Sequence, residues 1–211
     1  MRPTAVHRLD KRVSGCVVVA KTRQAAAFLS RAFRERDGVR KRYRALVVGR
    51  LDLLAFAEEP SQAKSSPALP DGTDVQATEA ELHVRSLLDG KPTHSIVRVL
   101  GHTRHVQAGW LTTLDLVPLT GRRHQLRRHC QALGVPICGD DLYARADLHN
   151  FGGKRSTGLF LQSIAVAIEH PTANGTWVHV ELPEAPKFQR QRERAQLGWV
   201  YEEQGESNGP S

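Results

Sequence analysis

The stretch His7-Arg8-Leu9-Asp10-Lys11-Arg12-Val13-Ser14-Gly15-Cys16-Val17-Val18-Val19-Ala20 decides how the chain is read. Its first half sets one carboxylate, Asp10, among the cations Arg8, Lys11 and Arg12. Its second half is a short, β-branched run bounded by Gly15 and Lys21, the pattern of a buried strand. Asp10 is therefore expected on a loop that feeds a core strand. Rigid scaffolds present reactive groups in this way. Taken alone, the stretch fits a surface Asp in an arginine-rich turn equally well, and the rest of the chain has to separate the two readings.

Working outward, Thr22 is placed to cap a helix over Arg23 to Glu35, where Ala25, Phe28, Leu29, Ala32 and Phe33 form an apolar stripe. Asp37-Gly38 ends it. From Arg40 to Gly49 a strand alternates, with Tyr43, Ala45 and Val47 on one face and Arg42 and Arg44 on the other. Its basic start, including Lys41, is a phosphate-contact candidate, although a solvated face is the commoner meaning of such a run. Residues 55–78 hold Pro, Gly and Ser clusters without a period and read as an inserted mobile loop. Strands follow at about 79–88, 93–100 and 110–117, with short turns that argue antiparallel pairing.

Pro118-Leu119-Thr120-Gly121-Arg122-Arg123-His124-Gln125-Leu126-Arg127-Arg128-His129-Cys130 is the second informative stretch. A helix is expected over 123–133, with Leu126, Cys130 and Leu133 as its core stripe. Arg123 and Arg127 would share one side of it, and His124 and Arg128 a neighbouring side. A helix whose first turn is this basic works against its own dipole, which hints that anions gather there. Strands are expected at 159–168 and 176–181, then a short helix over 186–194 with Arg190, Arg192 and Arg194 on a solvated face. A tail over 196–211 should be disordered from about 204.

The chain has 211 residues, 30 Lys and Arg against 22 acids, a net charge of +8 and a pI near 9.9. A surplus of this size suits a polyanion, and nucleic acid is the first candidate. Three scattered cysteines, Cys16, Cys130 and Cys138, exclude a disulfide framework and suit a reducing compartment. No run of about 18 apolar residues is present, so no membrane-spanning helix is expected. His124, His129, Cys130 and Cys138 match no common zinc spacing, so no metal is expected. An unrelated basic hydrolase would need its own nucleophile and base set, and none is evident.

Several of these stretches together resemble one family. His7-Arg8-Leu9-Asp10 through Ser14-Gly15 resembles the catalytic loop HRLDxxTSG of the RluA-type pseudouridine synthases. Lys41-Arg42-Tyr43 with Ala45, Val47 and Gly49 resembles their KxYxAxVxG strand. Thr120 through His129 resembles TGRxHQIRxH, and Val135-Pro136-Ile137-Cys138-Gly139-Asp140 with Tyr143 resembles GxPIxGDxxY. Leu161-Gln162-Ser163 and Glu169-His170-Pro171-Thr172 resemble LHAxxLxFxHPxT. Any one match is weak; five in family order are specific. Val13 stands where the family has Thr, and Gln162-Ser163 replaces His-Ala.

The resemblance implies an α/β (α+β) fold: a mixed, mostly antiparallel, bent sheet with flanking helices, forming one catalytic domain over 1–195. Members carry further sheet, with a Lys-Pro-x-Gly motif, ahead of the catalytic loop. Only six residues precede His7 here, so the domain is expected to lack its N-terminal part. The implied activity is isomerisation of uridine to pseudouridine in RNA (rRNA, tRNA or mRNA) by base flipping, without a cofactor. Asp10 is the implied catalytic carboxylate. Arg127 is its implied ion partner, with Arg122 the alternative, and Tyr43 stacks on the flipped base and moves a proton from C5. Arg8 fills the vacated space, His7 shapes the loop, and Lys41, Arg122, Arg123 and His124 complete the RNA-contact set. An intracellular monomer is expected, in cytoplasm, nucleus or an organelle. The competing expectation is an RNA-binding protein that keeps the fold without turnover.

Overall fold

A computed structural model describes residues 2–53, 73–78, 80–144, 158–173 and 175–206. The helix expected after the first stretch is α1, Arg23–Glu35, capped as predicted by the Thr22 hydroxyl, which accepts from the Ala25 N–H. Arg36 ends it at φ 64°, a left-handed cap more often given to glycine.

Around α1 lie the short strands β1, Thr4–Ala5, β2, Ser14–Gly15, and β3, Val19–Ala20. The long strands follow as β4, Val39–Val48, β5, Asp74–Ala77, β6, Leu82–Leu88, β7, Lys91–His105, and β8, Gly109–Pro118. Then come α2, Gln125–Ala132, β9, Leu161–Glu169, β10, Trp177–Glu181, and α3, Pro186–Glu206. The main sheet runs β10-β9-β4-β8-β7-β6-β5, all antiparallel, and β2 adds in parallel to β9. The mixed, mostly antiparallel architecture read from the sequence is therefore the one observed.

β4 sits at the centre because Ala45, Leu46, Val47 and Val48 are all nearly inaccessible, so both faces of the strand are covered. On one face lie Tyr43, Ala45 and Val47, packed with Leu126 and Cys130 of α2. On the other, Arg44 pairs with Asp115 at 2.9 Å and with Glu184, which also holds Arg192 of α3. The two helices thus cover opposite faces, as layered α/β domains require.

Four expectations change. The run Cys16 to Ala20 is not a buried strand. Cys16 and Ala20 are buried, but Val17 and Val19 are 46% and 48% exposed. Only Val19–Ala20 pairs, with Thr4–Ala5, in a two-stranded ribbon outside the main sheet. Secondly, of the expected loop 55–78 the structure describes 73–78, where Asp74–Ala77 forms the edge strand β5; residues 54–72 lie outside the described residues. Thirdly, α3 continues to Glu206 instead of stopping at 194; Phe188, Gln191 and Ala195 bury its first half, and beyond them the Trp199 ring centre lies 4.9 Å from the Arg104 guanidinium. Arg192 belongs to the ion cluster with Glu184 and not to a solvated face. The expected disorder beyond 206 falls on residues outside those described. Fourthly, α2 starts at Gln125, two residues later than expected. Arg123 therefore precedes the helix and stays exposed, while Arg127 turns inward, so the predicted shared side does not form.

A polar knot lies between α2 and the β6–β7 hairpin. His129, 1% exposed, meets the Ser86 and Thr93 hydroxyls through Nε2 at 3.1 and 3.0 Å, and its Nδ1 is buried without a partner. Burial, helped by the charges of His94 and Arg128, lowers its pKa from 6.5 to about 4. Unfolded His129 binds a proton first as the pH falls. Stability is complete above the ordinary histidine value and is lost as the pH drops from there toward 4. Chemical denaturation should show about 2 kcal/mol less stability from this group at pH 4.5 than at pH 7. His129→Gln should lose correspondingly less over that interval; an equal loss in both proteins would exclude His129 as the source.

Candidate active site

The loop carrying Asp10 is seated by its flanks. Val13 N–H donates to the Asp10 carbonyl at 2.9 Å, closing a turn. Cys16 N–H donates to the Ser163 carbonyl at 3.0 Å as Ser14–Gly15 enters the sheet edge. Gly15 stands at φ +119°, and a Cβ there would lie 2.1 Å from the Ser163 carbonyl oxygen, so only glycine allows this approach. Arg12 reaches Asp141 at 2.7 Å. His7 accepts from the Val18 N–H through Nε2 at 2.9 Å and stacks on Phe33, with ring centroids 4.3 Å apart and 14° between planes. Burial, with the Lys41 charge second, holds this imidazole below its ordinary pKa, which suits an acceptor nitrogen.

The facing wall comes from β4 and β9. A bulge falls where Arg42 pairs Ala165 and Tyr43 pairs Ser163, leaving Ile164 without a β4 partner. Bulges re-aim side chains, and this one sets Tyr43 beside the Asp10 loop. Burial raises the Tyr43 phenol pKa; a side-chain hydrogen bond with Ser163 offsets part of this, and the Asp10 charge adds to it.

The third wall is the start of α2. Gln125 shapes it: its Oε1 accepts from the Thr120 hydroxyl at 2.7 Å and from the Arg122 N–H at 3.1 Å, and its Nε2 donates to the His94 carbonyl and to Ser95. His124 precedes the helix at φ 55°, an uncommon region for a side-chain-bearing residue. That conformation turns its ring to Asp10, with Nε2 3.8 Å from Oδ1, while Nδ1 meets the Tyr143 hydroxyl at 2.9 Å. Burial lowers the His124 pKa, against the opposing pull of Asp10.

Arg127 was expected to pair with Asp10, or else Arg122 to do so. The structure pairs Arg127 with Asp140 instead. Nε donates to Oδ2 at 2.7 Å and Nη2 to Oδ1 at 2.6 Å, a forked contact with the side chains 4% and 0% exposed. Asp140 also accepts from the Leu142 and Tyr143 N–H groups. Asp10 is near enough that its charge helps to raise the Arg127 pKa, but no ion pair joins them within 4 Å.

These walls enclose a cleft of about 310 Å³. His7, Arg8, Asp10, Lys41, Tyr43, Arg122, His124 and Arg127, drawn from three separate stretches, all line it; Arg123 does not. Leu126 and Leu161 add apolar floor. Among the described residues no three His, Cys, Asp or Glu side chains gather as a metal site. Cys130 and Cys138 are fully buried, and burial pushes the Cys130 thiol up to about 12 and Cys138 higher still. No described helix is long and apolar enough to cross a membrane.

Residues 1–132 match the family model described as RNA pseudouridylate synthase. The chain belongs to that family. It is 33% identical over 196 residues to the ribosomal large subunit pseudouridine synthase C of Vibrio parahaemolyticus, a match covering 90% of this chain and 56% of the relative. It is 34% identical over 169 residues to the dual-specificity RNA pseudouridine synthase RluA of Vibrio vulnificus, covering 80% and 61%. The chain thus spans a little over half the length of these curated relatives. Among solved structures it resembles human RNA Pseudouridylate Synthase Domain Containing 1, with a TM-score of 0.63 at 26% identity over 90% of this chain and 73% of that one. The human domain-containing 4 protein, at 20% identity and a TM-score of 0.60, supports the fold alone.

Within this pseudouridylate synthase fold the sequence reading missed the role of Asp140, though Gly139-Asp140 stood in a quoted motif. An Arg and an Asp separated by 13 positions carry no mark that they will meet. Gln125, Ser163 and Phe33 were likewise without a role.

The Arg127–Asp140 pair yields a prediction. Asp140→Asn should cost about 3–5 kcal/mol, because it leaves a buried guanidinium uncompensated. Replacing both partners, Arg127→Met with Asp140→Asn, removes the stranded charge and keeps an oxygen for the Leu142 and Tyr143 N–H groups, so it should recover most of that loss in urea denaturation. A single variant as stable as the parent would show that the pair carries no such constraint.

Proposed function

We propose that this protein isomerises uridine to pseudouridine in RNA, with Asp10 as the reacting carboxylate. The observation that carries this reading is the convergence of Asp10 and Tyr43, 33 positions apart, in one cleft of a pseudouridylate synthase fold. The curated relatives are named as RNA pseudouridine synthases, and the cationic lining suits an RNA backbone.

The reaction breaks the bond between N1 of uracil and C1′ of the ribose, turns the base and joins C5 to C1′. The proton at C5 is then lost, and N1 gains one. No atoms are exchanged with another substrate and no electrons enter or leave, so the chemistry calls for neither cofactor nor metal. Asp10 acts toward the sugar, as nucleophile at C1′ or as base. Leu126, Leu161 and the Tyr43 ring form the surface on which a flipped base rests. The raised Tyr43 pKa keeps its phenol protonated at neutral pH, which suits a stacking wall and a hydrogen-bond donor better than a phenolate base. Arg8, exposed at the rim, takes the space that the flipped nucleotide leaves; extrusion costs a few kcal/mol, which such contacts offset. Arg127, neutralised by Asp140, positions the floor and the Tyr143 ring, 5.1 Å from its guanidinium. The active unit is read as a monomer working in a reducing, intracellular compartment, where its three free thiols persist.

An RNA-binding protein without turnover would use the same cations. Asp10→Asn separates the two. Arg127 already has its partner, so this substitution should cost less than about 1 kcal/mol, the scale of a partly exposed contact such as Asp10 with His124. RNA affinity should stay within about threefold, because phosphate contacts carry most of it. Pseudouridine, detected by chemical labelling of a bulk RNA pool, should form with the parent and vanish with the variant. Undiminished product from the variant would refute the role of Asp10; no product from the parent would leave the binding protein as the better reading.

A further inference from the structure

A second cavity of about 230 Å³ adjoins the Asp10 cleft. Phe33, Lys41 and Pro118 line both and form the partition between them. Val39, Val117 and Leu119 make the floor apolar, and Arg36, Arg40 and Lys41 stand around it. This is the composition of a site for a flat apolar ring carrying a negative group.

The cations at this junction lack counter-charges among the described residues. Among the described residues, no carboxylate lies within 4 Å of Arg36, Lys41 or Arg122. Glu35, beside Arg36, turns to Arg34. Arg122 keeps a buried Nε without a partner, where most buried polar atoms in folded proteins are hydrogen-bonded. Arg40 is engaged differently, its guanidinium lying 4.9 Å from the Trp177 ring centre. The repulsion is felt: burial and then Arg36 lower the Lys41 pKa, and burial and then Arg122 lower that of Arg36. Elsewhere near the cleft, Arg12 and Arg127 are neutralised by Asp141 and Asp140. Three half-buried cations left unpaired at the junction of two cavities call for an anion that arrives with the ligand.

We propose that this slot is a second base-binding subsite, which takes the unstacked base of the nucleotide next to the target uridine, while Arg36, Lys41 and Arg122 hold the phosphodiester joining the two. The proposal rests on the reading of the Asp10 cleft as a uridine site. Phe33 links the subsites mechanically. It borders the slot and stacks on His7, which orders the Asp10 loop. A base seated in the slot therefore bears on the loop that carries Asp10.

The test uses the full chain and short stem–loop RNAs with one loop uridine, titrated by fluorescence anisotropy. In separate probes an abasic residue replaces the uridine, its 5′ neighbour or its 3′ neighbour. Removing the base on one flank should weaken binding about tenfold, the scale of one base stacked in a protein site, and removing the other should not. Arg36→Asn suits the left-handed backbone at that position, and Leu119→Glu lies at a 45% exposed site; both should fold. Each should weaken the intact probe and abolish the difference between the intact and flank-abasic probes. If neither flank base matters to the parent, or if both variants keep the full flank dependence, the subsite is refuted. Indifference to the central abasic residue, with flank dependence intact, would instead overturn the uridine cleft while leaving the slot standing.

Discussion

Gly15 lies so close to Ser163 that no side chain fits between them. The site depends on this contact. It lets two residues of the Asp10 loop enter the edge of the main sheet in parallel with β9. The same Ser163 residue pairs with Tyr43 across the strands at the bulge that aims that ring, and its side chain moderates the rise of the Tyr43 phenol pKa. One β9 position therefore fixes both the loop bearing the carboxylate and the wall facing it. The loop needs such anchoring because it has little packing of its own, with Val17 and Val19 exposed beyond it.

Charge is distributed through the molecule in two classes. Arg12, Arg44 and Arg127 are neutralised by Asp141, Asp115 and Asp140, and these pairs tie loops and strands together. Arg36, Lys41 and Arg122 are not neutralised among the described residues, and they meet at the boundary between two cavities. Buried pairs hold geometry at some cost in desolvation. Unpaired cations cost more still until an anion arrives, which is why the proposed phosphodiester site falls on them. The same distinction moves Arg127 from a partner of Asp10 to a support beneath it.

The elements that local pattern specifies were legible. The α1 helix came out with its ends and its Thr22 cap, because apolar spacing and capping are local. Leu126, Cys130 and Leu133 form the buried stripe expected of them. The family motifs named the residues that would meet, and eight of the nine proposed site residues line one cleft. Arg123 fell outside because Gln125 binds the preceding turn and delays the helix start. The exposed Val17 and Val19 were misread because a β-branched run has the same composition in a ribbon on the surface as in a core strand.

By itself, the amino-acid order determined the class of fold, the cationic character and the identity of the residues brought together, since each follows from periodicity, composition or a motif. Tertiary structure alone decided who partners whom. The pairing of Arg127 with Asp140, the αL turn that aims His124 at Asp10, the approach of Gly15 to Ser163 and the second cavity beside Lys41 all join residues from different elements. Such contacts depend on the distance and angle between packed layers, and no local spacing in the chain encodes either.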